Sequence, residues 1–187
     1  MDEGIFSGII AGIVADNNDP KKLGRLKVRI PAAYGNQPVD NLPWAWPCFP
    51  YGGIETMCTF AVPENGAAVW VIFQCTDGEP DTSNPVWLGV WQPENGTPEQ
   101  VKGSPEDAHC YKVMRTTSGH SITYCDKKGE EFIALIDKDG NYVRLDDQKG
   151  FVEIKDKNGS YMKFQNGNIE IHASGSMKLT ASRIDLN

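Results

Sequence analysis

The chain has 187 residues, 40% of them hydrophobic and 23% charged, which gives room for one or two globular domains. Its net charge of −7 is unevenly placed: residues 1–110 hold 6 Lys/Arg against 14 Asp/Glu, and residues 111–187 hold 12 against 11. An acidic front half argues against a nucleic-acid partner, whose phosphates demand Lys and Arg.

The first predicted element is a strand over Ile5–Val14. The stretch from Gly4 is apolar, but it carries three glycines, follows Asp2-Glu3 and is too short to span a bilayer, so it reads as neither signal nor anchor. Asp16-Asn17-Asn18-Asp19-Pro20 is a turn, with Asx side chains able to bond the backbone and Pro fixing φ. Arg25-Leu26-Lys27-Val28-Arg29-Ile30 then alternates strictly up to Pro31, which predicts a β-hairpin with a basic outer face. Leu42 to Pro47 places prolines and tryptophans so close together that an irregular, ring-burying segment is expected. Ala67–Phe73 is apolar on both faces and reads as a central strand. Asp77–Pro85 reads as a long polar loop, and Val86–Trp91 as a final strand. Some five strands with no clear helix predict an OB-type barrel over residues 1–95.

Residues 96–115 read as a linker. Ser104-Pro105-Glu106-Asp107 has the N-cap, the Pro and the acids of a helix start, and one short helical turn is expected there as the only helix. Five cysteines (Cys48, Cys58, Cys75, Cys110, Cys125) form no C-x-x-C pair, which favours free thiols made in a reducing cytoplasm over disulfides or zinc.

From Thr116 to Asn187 the glycines of successive turn signals lie 10, 11, 10, 9, 8 and 8 residues apart. Apolar residues alternate between them: Val152/Ile154, Met162/Phe164, Ile169/Ile171/Ala173 and Met177/Leu179/Ala181. Period two between Gly- and Asn-rich turns predicts short strands, each with one buried face. Eight residues make one face and one corner, whereas a full β-helical rung needs about 18–25. Three chains giving one face each would complete a rung, with the apolar row on a shared threefold axis. An antiparallel meander is the alternative, but no later helix or sheet would cover its apolar face. The expected architecture is therefore all-β: an OB barrel followed by an intertwined trimeric, triple-stranded β-helix over residues 116–187. Its axis core is Val152, Ile154, Met162, Phe164, Ile169, Ile171, Ala173, Met177, Leu179 and Ala181.

The order of motifs resembles one family, the central spike proteins of contractile-tail baseplates (baseplate assembly protein V), related to the OB and spike part of valine-glycine repeat protein G. The resemblance rests on Asp16–Pro20 with Gly24–Pro31, Trp44-Ala45, Pro63-Glu64-Asn65-Gly66, Asp77-Gly78 to Pro85–Gly89, and Thr117-Ser118-Gly119-His120. It implies a homotrimeric spike in a phage tail baseplate or related injection particle, assembled in the bacterial cytoplasm. Such a spike docks under a hub ring, carries a PAAR-like tip protein at its C-terminal end and is driven into the target cell envelope. No lysozyme-like insert separates barrel from needle, so no enzymatic activity and no cofactor are expected. A trimeric receptor-binding fibre or adhesin tip is the competing function.

Residue by residue, chemistry is sparse. The tryptophans Trp44, Trp46, Trp70, Trp87 and Trp91 lie in surroundings of the wrong charge for nucleic-acid stacking and read as core and interface packing. Ser118-Gly119-His120-Ser121 lacks the G-x-S-x-G elbow. With Ile169, Ile171 and Ala173 facing the axis, period two sends His172 outward, away from any metal site on that axis. Lys21, Lys22 and Arg25 are the expected contacts to acidic groups of the hub.

Overall fold

The computed structural model describes residues 8–55, 57–94, 96–101, 103 and 105–185. Two compact units divide the chain, Met1–Gly96 and Thr97–Asn187.

The first unit is a closed barrel. Its strands are β1 (Ile10–Asp16), β2 (Leu26–Arg29), β3 (Trp44–Pro47), β6 (Ala68–Thr76) and β7 (Glu79–Val90), in the ring order β1-β2-β3-β7-β6. Between β3 and β6 a small ribbon of β4 (Gly52–Ile54) and β5 (Met57–Cys58) stands apart from the ring. The core is Val14, Leu26, Val28, Ala45, Val69, Val71, Phe73 and Trp87, inward positions of the five strands, with Ile30 just past the end of β2. Gly12 is where β1 presses closest to β2: a Cβ there would stand 2.4 Å from a Val28 methyl.

Three expectations are corrected here. Trp44–Pro47 is a regular strand, paired antiparallel to β2 and parallel to β7. The supposed polar loop Asp77–Pro85 is a two-residue turn, Asp77-Gly78, followed by most of β7. Its polar residues sit at the far end of a long hairpin with β6, where little core lies beneath them. Helix is also not confined to the linker, since α1 (Pro31–Tyr34) and a 3₁₀ turn at Val39–Asn41 follow β2. The predicted first strand begins at Ile10, and its earliest residues lie outside the described ones.

The second unit is one seven-stranded sheet in strict chain order: β8 (Tyr111–Arg115), β9 (Ser121–Cys125), β10 (Phe132–Ile136), β11 (Tyr142–Asp146), β12 (Phe151–Lys155), β13 (Tyr161–Gln165) and β14 (Asn168–His172). Every neighbouring pair is antiparallel. The helical turn expected in the linker is a 3₁₀ segment, Pro105–Cys110. Tyr111–Arg115, read as linker, is the sheet's first strand. Over Tyr111–His172 the ladder bonds run between consecutive strands of one chain, where the sequence reading puts them between chains. Alternation and turn residues dictate which face is buried but leave the neighbouring strand open.

Candidate functional site

In the barrel, one carboxylate organises the turn before β2. Asp19 accepts the backbone N–H of Lys21 at 3.0 Å and of Leu23 at 2.8 Å. The Arg25 guanidinium closes on the same group, Nη2 at 2.6 Å and Nε at 3.1 Å. Both side chains are buried, and the Arg25 guanidinium lies 5.4 Å from the ring centres of both Trp44 and Trp46. The bond from Arg25, helped by the backbone N–H groups and opposed by burial, holds the Asp19 carboxyl far below the usual carboxylate range. Gly24 follows at φ +77°, and its carbonyl accepts the Trp87 indole N–H at 3.1 Å. A Cβ at Gly24 would stand 2.9 Å from the Phe49 ring, so this backbone position has no room for a side chain.

This arrangement corrects the predicted hub contacts. Lys21 and Lys22 are exposed, but Arg25 is spent on Asp19 and is not a surface cation. Lys27 is likewise buried, donating to the carbonyls of Val39 and Asp40. Of the tryptophans, Trp87 fills the core, while Trp70 and Trp91 lie against each other on the outside, ring centres 6.1 Å apart.

The sheet separates its two faces sharply. Directly opposed residues share a face, and the register assembles two columns across the seven strands. One column runs Lys112, Tyr124, Ile133, Leu145, Val152, Phe164, Ile169, and the other Met114, Ile122, Leu135, Val143, Ile154, Met162, Ile171. Thirteen of these fourteen side chains are apolar, and ten of the thirteen are exposed. The exposed apolar area is on the order of 1,000 Å², against ~300–600 Å² for the largest patch of a typical monomer.

The opposite face carries a ladder of alternating charge down its middle: Arg144, Glu153, Lys163 and Glu170 are each opposed to the next. Tyr142 donates to Glu153 and Tyr161 to Glu170, while Arg144 covers the Phe132 ring at 4.0 Å. Burial first, then Glu153, pushes the Tyr142 phenol up to about 12. At the β8 end this face is closed instead, with Ser121, Thr123, Cys125 and Ala134 buried.

Three hairpin loops on one side share a geometry. At Thr116, Asp137 and Asp156 a side-chain oxygen accepts the backbone N–H four residues on, from His120, Asn141 and Ser160. Each of those last residues then accepts the N–H of the next crossing: Lys138 on His120 Nδ1, Lys157 on Asn141 Oδ1, Ser174 on Ser160 Oγ. His120 therefore works as a stitch between loops. This side-chain ladder was missed by sequence reasoning, although the repeated Asp-Lys-x-Gly at residues 137–140 and 156–159 is its visible trace.

Of the ten predicted axis residues, Val152, Ile154, Met162, Phe164, Ile169 and Ile171 lie together in the two apolar columns. Ala173, Met177, Leu179 and Ala181 lie beyond β14 and outside any strand. His172 occupies the charged face, stacked on Tyr161 with ring centres 5.2 Å apart.

Residues 10–91 match the family model of the type VI secretion system/phage-baseplate injector OB domain. The match starts at the first residue of β1 and stops one past the end of β7, so it coincides with the closed barrel. The barrel belongs to the injector OB family. No curated protein matches the chain. For the injector OB barrel a baseplate-related structural role follows, and the Asp19–Arg25 pair with Gly24 forms the internal pin that shapes its first hairpin.

Proposed function

We propose that the chain is the central spike of a contractile injection particle and works as a homotrimer. Three sheets turn their apolar columns onto a common threefold axis and leave their charge ladders outside. The observation that carries this reading is an injector OB barrel joined in one chain to a sheet whose apolar face is exposed among the described residues. At about 25 cal/mol per Å², covering on the order of 1,000 Å² contributes roughly 25 kcal/mol gross per copy, above the ~4–15 kcal/mol that association costs. Past His172 the octad continues through Met177, Leu179 and Ala181 without a ladder partner among the described residues. There the needle becomes a triple-stranded β-helix, with strands partnered by the other two copies.

In this reading the barrel docks beneath a hub ring, with Lys21 and Lys22 setting orientation more than affinity. The far end carries a PAAR-like tip protein, and the particle drives the whole through the target envelope. The role is mechanical rather than catalytic. Native mass spectrometry or light scattering tests it: three times 20.6 kDa is expected, resistant to SDS before boiling. A stable species of one chain overturns the reading.

A further inference from the structure

The barrel keeps two exposed apolar surfaces. One is the β4–β5 ribbon, where Tyr51 is 61% and Ile54 71% exposed, with Glu55 exposed beside them. A two-stranded ribbon is marginal unless something packs on it. The other is the outer face of the β1–β6–β7 wall. Ile9, Ile13, Trp70 and Trp91 are exposed there, and Arg29, also exposed, sits directly across from Ile13. The ribbon follows β3, and in the ring order β1-β2-β3-β7-β6 that strand lies across the barrel from the β1–β6 seam.

We infer that the ribbon of one barrel docks on the Ile13–Trp70–Trp91 face of the next copy, with Glu55 meeting the neighbour's Arg29. The occupant is a second copy of this chain because the two surfaces complement each other in both apolar character and charge. Different patches meeting head to tail close into a ring when the rotation fits. The inference rests on the trimeric reading above. Ribbon and patch together offer on the order of 1,000 Å², below the ~1,200 Å² of a self-sufficient interface. The contact therefore forms between barrels already held together, where tethering raises the effective concentration. It makes each barrel a link in a collar, so that the barrels turn as one body.

The test uses the full chain with Cys48, Cys58, Cys75 and Cys110 changed to Ser. Ile13→Cys and Ile54→Cys are introduced together, and the native mass is read alongside a non-reducing denaturing gel. The expected result is covalent dimers and trimers from the pair, and none from either single variant or from Ile54→Cys with Leu23→Cys. Adding Glu55→Arg should lower the cross-link yield about fivefold, the effect of a lost or reversed surface charge pair. Arg29→Glu in the same chain should restore it. A three-chain mass without cross-links overturns this contact alone, whereas a one-chain mass overturns the trimeric reading with it. A yield unmoved by Glu55→Arg overturns the proposed docking register.

Discussion

The barrel and the sheet solve the problem of apolar surface in opposite ways. In the barrel, nine buried residues, eight of them from the five strands, close on one another within a single chain, and even an arginine is drawn inside by its own carboxylate. The sheet has a comparable wealth of Ile, Leu, Val, Met and Phe, yet spreads it over one open face. The difference is one of closure. A sheet bent into a ring supplies its own second wall, and an open meander needs another molecule to supply it. The barrel's stability should thus be a property of the chain, and the sheet's a property of the assembly.

The sharpest way to break that contrast is to charge the open face. Ile154→Asp or Ile171→Asp places three carboxylates around one axis, at a cost of several kcal/mol. The native mass should drop to that of one chain, while near-ultraviolet signals of the barrel tryptophans persist. Retention of the three-chain mass would mean that the face is turned outward. Next in size is Asp19→Asn, which leaves the buried Arg25 charge without its partner. A loss of about 3–5 kcal/mol is expected in barrel unfolding by denaturant, with the oligomeric mass unchanged.

A smaller effect comes from pH. The Asp19 carboxyl is depressed in the folded barrel, so its contribution is fully present above the unfolded value of about 4 and is lost as pH falls below it. Barrel melting temperature should decline progressively below about pH 4, and the Asp19→Asn variant should show a shallower decline. The smallest effects belong to the charged face, where Glu170→Ala should change stability by no more than about 0.5–1 kcal/mol and leave the mass intact. Sensitivity there equal to that at Ile171 would invert the assignment of the two faces.

Much of this is legible in the sequence alone. Val152/Ile154, Met162/Phe164 and Ile169/Ile171 fell on one face because period two is a geometric property of a strand. The same rule put His172 on the other. What alternation cannot express is the partner of a strand, and so the within-chain meander over residues 111–172 stood only as the alternative to strands paired between chains. Arg25 misled for a different reason: a cation next to a strand reads as surface unless the carboxylate that buries it is recognised six residues earlier. Asp77–Pro85 misled because polarity marks exposure rather than irregularity, and β7 runs on past the end of the core.

The register of the sheet also carries a timetable. None of its opposed residues is more than 15 positions apart in sequence, whereas β1 reaches across 61 positions to pair Ile10 with Val71. Local contacts form sooner, because little chain entropy is lost before each begins to hold. Isolated hairpins close in about 1–10 μs, so the six hairpins of the sheet are available long before the ring of the barrel is complete. Refolding should then separate into three phases: a fast one in hairpin signals, a slower one in tryptophan fluorescence, and a last one whose rate rises with protein concentration as copies meet.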